Sequence, residues 1–208
     1  MPQGRYGVRH NSRRGQDSQG RGALECLAML ETSRLRLRRL HASDEADLVE
    51  LDRDPLVMRY VGSPRGVRTH EETVERVRQR IHADHGAGGW WIIEDKHDGA
   101  FHGVGLLLGM PEGDDVEVGY RLARRSWGRG IATEAAAALI DHAFAALRVP
   151  RMVAVVYPDN HPSRRVLSKL GFAHDGPREY RGARVEHYTL AASAWRALRV
   201  DNRGDAPA

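Results

Sequence analysis

Arg124-Arg125-Ser126-Trp127-Gly128-Arg129-Gly130-Ile131-Ala132 is the stretch on which the reading of this chain turns. It stands between two periodic segments. Before it, residues 115–122 alternate, with Val116, Val118 and Tyr120 on one face and Glu117, Gly119 and Arg121 on the other, as in a strand. After it, residues 131–147 carry apolar residues at helical spacing. A helix start presents unpaired N–H groups and the positive end of the macrodipole, which together favour an anion. Gly128 and Gly130 let the backbone curl so that successive N–H groups converge, as around a phosphate. The motif is not a dinucleotide-binding fingerprint, which would need glycine where Thr133 stands, nor a P-loop, because Gly-Lys-Ser/Thr is absent. From the residues alone, a structural helix cap is the alternative reading.

Working outward, Arg34-Leu35-Arg36-Leu37-Arg38 alternates strictly and predicts a half-buried strand. Residues 44–51 read as a helix with Ser43 as N-cap. A second helix is expected over 71–82, opened by the capping box of Thr69 and Glu72. Residues 90–94 and 101–108 form a strand and its return across the turn at 95–99, and Gly103 and Gly105 hint at close backbone approach. Residues 152–157 make a short apolar strand buried on both faces. Pro162 suits the first turn of a helix ending near Leu170, with Gly171 as its left-handed stop. Residues 185–190, and 179–182 before them, add one or two strands. The sum is an α+β fold with one mixed sheet.

Composition bounds the function. The chain has 208 residues, 41% hydrophobic, 29% charged and 6% aromatic, which suits one globular domain. No apolar run reaches the length of a membrane helix, and the opening residues lack a secretory pattern. Cys26 is the single cysteine, so a reducing, cytoplasmic setting is expected and covalent thiol catalysis is not. The formal charge of +4 resides in residues 1–22, where five arginines face only Asp17; the remainder is balanced. An Arg-rich arm for RNA is one reading of that tail, but nucleic acid is disfavoured as a partner. The expected organisation is a disordered basic tail over 1–28, a folded domain over 29–198 and a disordered tail over 199–208. His82 and His85 lack a carboxylate or cysteine to complete a metal set, so no metal is expected.

Arg125-x-x-Gly128-x-Gly130, followed by Ile131-Ala132-Thr133-Glu134-Ala135, resembles the acyl-CoA pyrophosphate loop of the GNAT acetyltransferases. Asn160-x-x-Ser163 and Ser168-Lys169-Leu170-Gly171-Phe172 are similar to the next motif of that superfamily. Glu117-Val118-Gly119-Tyr120 matches its preceding strand. Thr32-Ser33-Arg34-Leu35-Arg36-Leu37-Arg38 and the closing Tyr188 and Trp195 resemble the branch of ribosomal-protein N-terminal (alanine/serine) acetyltransferases. The resemblance covers about residues 30–196.

It implies a mixed, mostly antiparallel sheet flanked by helices, with two splayed central strands forming the acyl-CoA cleft. It also implies direct transfer of acetyl from acetyl-CoA to a primary amine, either a peptide N-terminus or a small molecule, by a monomer or homodimer without metal. The backbone of Trp127, Gly128, Arg129, Gly130, Ile131, Ala132 and Thr133, with the side chains of Arg125 and Arg129, would hold the pyrophosphate. Backbone groups of Tyr120, Arg121 and Leu122 would meet the pantetheine arm, one N–H polarising the thioester carbonyl. Asn160 would also bond that arm. Glu117 is the candidate base, with Asp114, Asp115, His102 and Glu186 in reserve. The α-helical tyrosine that protonates the thiolate in many members corresponds to Leu167 here; the branch resemblance implies the serine of Asn-x-x-Ser, Ser163, as the candidate acid, with a helix N-cap as its alternative role. The same leucine keeps open a non-catalytic acyl-CoA sensor.

Overall fold

The computed structural model describes residues 29–62, 68–83, 88–110 and 115–204. The basic tail, Cys26, His85 and Asp114 lie outside these residues. Strands β1 (Met29–Glu31) and β2 (Leu35–Arg39) open the chain, followed by a 3₁₀ turn at Ala42–Asp44 and helices α1 (Glu45–Arg53), α2 (Pro55–Met58) and α3 (His70–His82). Strands β3 (Gly89–Asp95), β4 (Phe101–Gly109) and β5 (Val116–Leu122) precede helix α4 (Ile131–Ala145). Then come β6 (Arg151–Val156), α5 (His161–Lys169), β7 (Ala173–Tyr180), β8 (Ala183–Ala191) and α6 (Ala192–Gly204). The last helix continues past 198, into the segment expected to be loose.

The eight strands form one sheet in the order β1-β2-β3-β4-β5-β6-β8-β7. Every neighbouring pair is antiparallel except β5 and β6. This is the mixed, mostly antiparallel sheet that the sequence implied.

Both faces of the sheet are apolar. Trp91 and Ile93 of β3 join the core beneath α4, α5 and α6, whereas Ile92 between them joins a second core with Leu48, Leu51 and Val77 of α1 and α3. Alternation along a strand thus feeds two cores, which is why three consecutive large residues are all buried. On α4, Ala135, Ala136, Leu139, Ile140 and Ala143 are buried, the three-and-four spacing of one helical stripe.

The capping box of Thr69 and Glu72 forms as expected. At the first helix the cap differs from expectation: the His41 side chain, not Ser43, accepts at the turn, and Asp44 reaches back to the His41 backbone N–H at 2.7 Å. Asp44 is free to do so because Arg38 clamps its carboxylate from below, at 2.8 and 2.9 Å. Gly103, with φ +148, lets β4 approach β5 so closely that a Cβ would stand 2.8 Å from the Leu122 Cα and inside the Arg121 carbonyl oxygen.

Helices α1 and α3 are pinned to the sheet by a buried ion group. Asp52 on α1 lies 2.6 Å from Arg80 of α3 and 2.8 Å from Arg121 of β5. Both guanidinium groups stack near Trp90. Burial pulls Arg121 down to about 10 against the stabilising charge of Asp52.

Candidate functional site

The parallel pair carries the site. β5 and β6 are in register only at Val116 with Met152 and Glu117 with Val153. Beyond Glu117 β5 continues alongside β4 as far as Leu122, while β6 stays paired with β8 as far as Val156. The two central strands therefore part, leaving a wedge whose apex is Glu117.

At the far end of β5 the chain makes a 3₁₀ turn at Arg124–Ser126 and enters the glycine turn. Gly128 has φ +73 and Gly130, the N-cap of α4, φ +77. Both conformations disfavour any residue with a Cβ. The first helical bond runs from the Glu134 N–H to the Gly130 carbonyl at 3.1 Å. The amides of Ile131, Ala132 and Thr133 are thus left without a helical acceptor, at the positive end of a 15-residue helix.

The turn is held from behind. The Trp127 indole N–H donates to the Leu122 carbonyl at 2.8 Å, which commits that carbonyl and leaves the indole ring 47% exposed. Arg125 donates to the Phe101 carbonyl at 2.8 Å. His102, buried on β4, has Nδ1 2.9 Å from Ser126 Oγ. Burial and the neighbouring Arg129 charge lower the imidazole's affinity for a proton. His102 therefore braces the turn.

Glu117 is half-buried. The Tyr180 hydroxyl donates to its Oε2 at 3.3 Å. Burial raises the Glu117 carboxyl above the ordinary range, and the charge of Arg181 and the bond from Tyr180 only partly offset this. Tyr180 and Arg181 arrive there through a two-residue hairpin at Arg181-Gly182, both with positive φ, the geometry of a primed turn. Sequence reasoning did not single out Tyr180, because nothing local marks a hairpin tip as lying over β5. The reserve carboxylates are engaged elsewhere: Asp115 with Arg151 at 2.6 Å, Glu186 with His174.

Across the wedge, Asn160 caps α5, its Oδ1 accepting from the Ser163 N–H at 3.3 Å. Ser163 Oγ lies 3.0 Å from the Tyr120 hydroxyl. Burial pushes the Tyr120 phenol up to about 12, with Ser163 opposing, so the phenol stays protonated at physiological pH. Leu167 is 1% exposed and belongs to the core. The Arg121 side chain turns the opposite way, into the ion group under α1 and α3, so only its backbone is directed along β5. No group of histidines, cysteines and carboxylates suited to a metal is found among the described residues. None of the described helices is long and apolar enough to cross a membrane.

An open wedge between parallel strands, closed at one end by an amide-lined turn, fits a long ligand with an anionic middle. Residues 34–173 match the family model of the acetyltransferase (GNAT) domain. YkkB of Bacillus subtilis is 39% identical over 146 residues, covering 68% of this chain and 83% of its own. The uncharacterized N-acetyltransferase p20 of Bacillus licheniformis is 31% identical over 157 residues, covering 74% and 88%. Among solved structures, Mycobacterium smegmatis RimJ in complex with CoA-disulfide superposes with a TM-score of 0.62 at 26% identity, covering 81% of this chain and 90% of RimJ. By fold, by motif and by these relatives, the chain belongs to the GNAT family of N-acetyltransferases.

Proposed function

We propose that this enzyme moves an acetyl group from acetyl-CoA to a primary amine by direct transfer, with Glu117 as the base and Ser163, backed by Tyr120, as the acid. The observation that supports it most is the termination of the β5–β6 pair at Glu117. Glu117, the carboxylate at the apex of the wedge among the described residues, is also one whose affinity for a proton is raised by burial.

Acetyl-CoA would supply the acetyl group as an activated thioester. The free amides of Ile131, Ala132 and Thr133, together with the exposed guanidinium of Arg129, suit its diphosphate. Backbone groups of Tyr120 and Arg121 border the wedge where the arm would run, and Asn160, the cap of α5, would bond that arm. Glu117 would take a proton from the incoming ammonium, giving the lone pair that attacks the thioester carbon. As the carbon–sulfur bond breaks, the Ser163 hydroxyl would donate its proton to the sulfur. Tyr120 Oη, 3.0 Å from Ser163 Oγ, can refill the serine, and the second proton shed by the acetylated nitrogen returns through solvent to restore the phenol.

Ser163→Ala is expected to lower kcat by about tenfold to a hundredfold, the range for loss of a positioned acid, with little change in the acetyl-CoA KM. Tyr120→Phe should show a smaller kcat loss in the same direction, because it removes the relay and spares the donor. Steady-state kinetics with thiol release as readout measures both; full activity in Ser163→Ala would reduce the residue to part of the helix cap. The same assay across N-terminal peptides, polyamines and aminoglycosides assigns the acceptor. Absence of CoA release with every amine would instead favour a cofactor-holding sensor.

A further inference from the structure

The motif at residues 32–34, on the first turn of the sheet, is not used by the chemistry above, yet it meets the glycine turn directly. Thr32 Oγ1 donates to Glu134 Oε1 at 2.5 Å, Ser33 Oγ at 3.1 Å and the Arg34 backbone N–H at 3.0 Å. Arg34 Nε donates to the other carboxylate oxygen at 2.7 Å, and Nη2 lies 2.6 Å from it. The third guanidinium nitrogen, Nη1, donates at 3.0 Å to the carbonyl of Arg129, between the two turn glycines. Nη2 also packs over Gly130, 3.3 Å from where a Cβ would stand. One side chain thus fixes the first turn of α4 and the backbone of the anion turn at once.

We infer that Arg34 is a positioning residue for the acetyl-CoA diphosphate, holding the turn open and neutralising Glu134. This inference rests on the reading of the turn as the diphosphate site. Two physical effects combine in it. The fork geometry of arginine spans a carboxylate and a carbonyl that lysine could reach only one at a time. Charge is the second effect: Glu134 sits in the first turn of α4, where a diphosphate on the turn amides would lie within a Debye length of it. Against its partial burial, the bonds from Thr32, Arg34 and Ser33 hold the carboxyl below the ordinary range. Without Arg34 it would repel the ligand that the helix terminus attracts.

The test is calorimetric titration of the full chain with CoA, for wild type, Arg34→Gln, Arg34→Lys, Glu134→Gln and the Arg34→Gln/Glu134→Gln pair. Arg34→Gln should weaken CoA binding by roughly tenfold or more, the factor matching one lost charge-assisted bond. Arg34→Lys should fall between that and wild type. The double variant should bind more tightly than Arg34→Gln alone, because the stranded negative charge is gone while the glutamine oxygen still accepts from Thr32 and Ser33. A purely structural brace predicts the reverse order, since removing both partners would loosen the turn further. CoA affinity within twofold of wild type in Arg34→Gln, or a double variant no tighter than the single, overturns the inference while leaving the diphosphate site intact. Wild-type protein that fails to bind CoA overturns both.

Discussion

Gly130→Glu is expected to leave a folded protein that no longer binds acetyl-CoA at concentrations a hundredfold above the wild-type Kd. Gly130 caps α4 with φ +77, a conformation that costs a residue with a Cβ about 1–2 kcal/mol. The new Cβ would press on Arg34 Nη2 at 3.3 Å, disturbing the guanidinium that grips the Arg129 carbonyl. A carboxylate would then stand among the amides that suit the diphosphate. Backbone strain, a displaced clamp and like-charge repulsion act in the same direction, and at 1.4 kcal/mol per decade two or three such effects exceed a hundredfold. Calorimetry with CoA reads the outcome, and circular dichroism shows that the fold survives. Wild-type affinity in this variant would place the diphosphate elsewhere.

The second large effect is expected at Glu117. Glu117→Gln should reduce kcat by about a hundredfold to ten-thousandfold, as for loss of a positioned general base, and should change the shape of the pH profile. In the wild type, activity should climb as pH rises through the raised Glu117 pKa and the carboxylate becomes the basic form. In the variant that rising limb should disappear, leaving a profile governed by the amine's own ionisation. Stability should move the opposite way. A carboxyl whose affinity for protons is higher in the folded protein adds stability at acid pH, and this is lost as pH rises through its folded pKa. Glu117→Gln should therefore melt above wild type near neutrality, the difference shrinking toward acid pH. Unchanged turnover would move the base to water or to the acceptor itself.

How much of this was legible beforehand depends on the range of the interaction concerned. The glycine turn, the Thr69–Glu72 box, the α5 start at Pro162 and the stop at Gly171 are local devices, decided within a few residues, and they form where the sequence put them. The parting of β5 from β6 followed from a family resemblance, since alternation alone says nothing about which strands pair. What escaped sequence reasoning is long-range. Arg34 and Glu134 are 100 positions apart, and each is legible only within its own local motif. Tyr180 reaches Glu117 across 63 positions because a hairpin folds its tip over the wedge. His102 reads as a reserve base until burial against Ser126 shows it to be a brace. Even Ser43 lost its cap to His41, because an arginine on the neighbouring strand had already oriented Asp44.

The tethered indole on the glycine turn gives this enzyme a built-in optical reporter. Of the four tryptophans, Trp91 and Trp195 are sealed in the interior, Trp90 is partly covered and Trp127 alone is about half open to solvent. Acrylamide or iodide should quench the Trp127 emission preferentially. Adding CoA should shield that component and blue-shift it, so that occupancy can be followed in real time without a label, and Trp127→Phe should abolish the response.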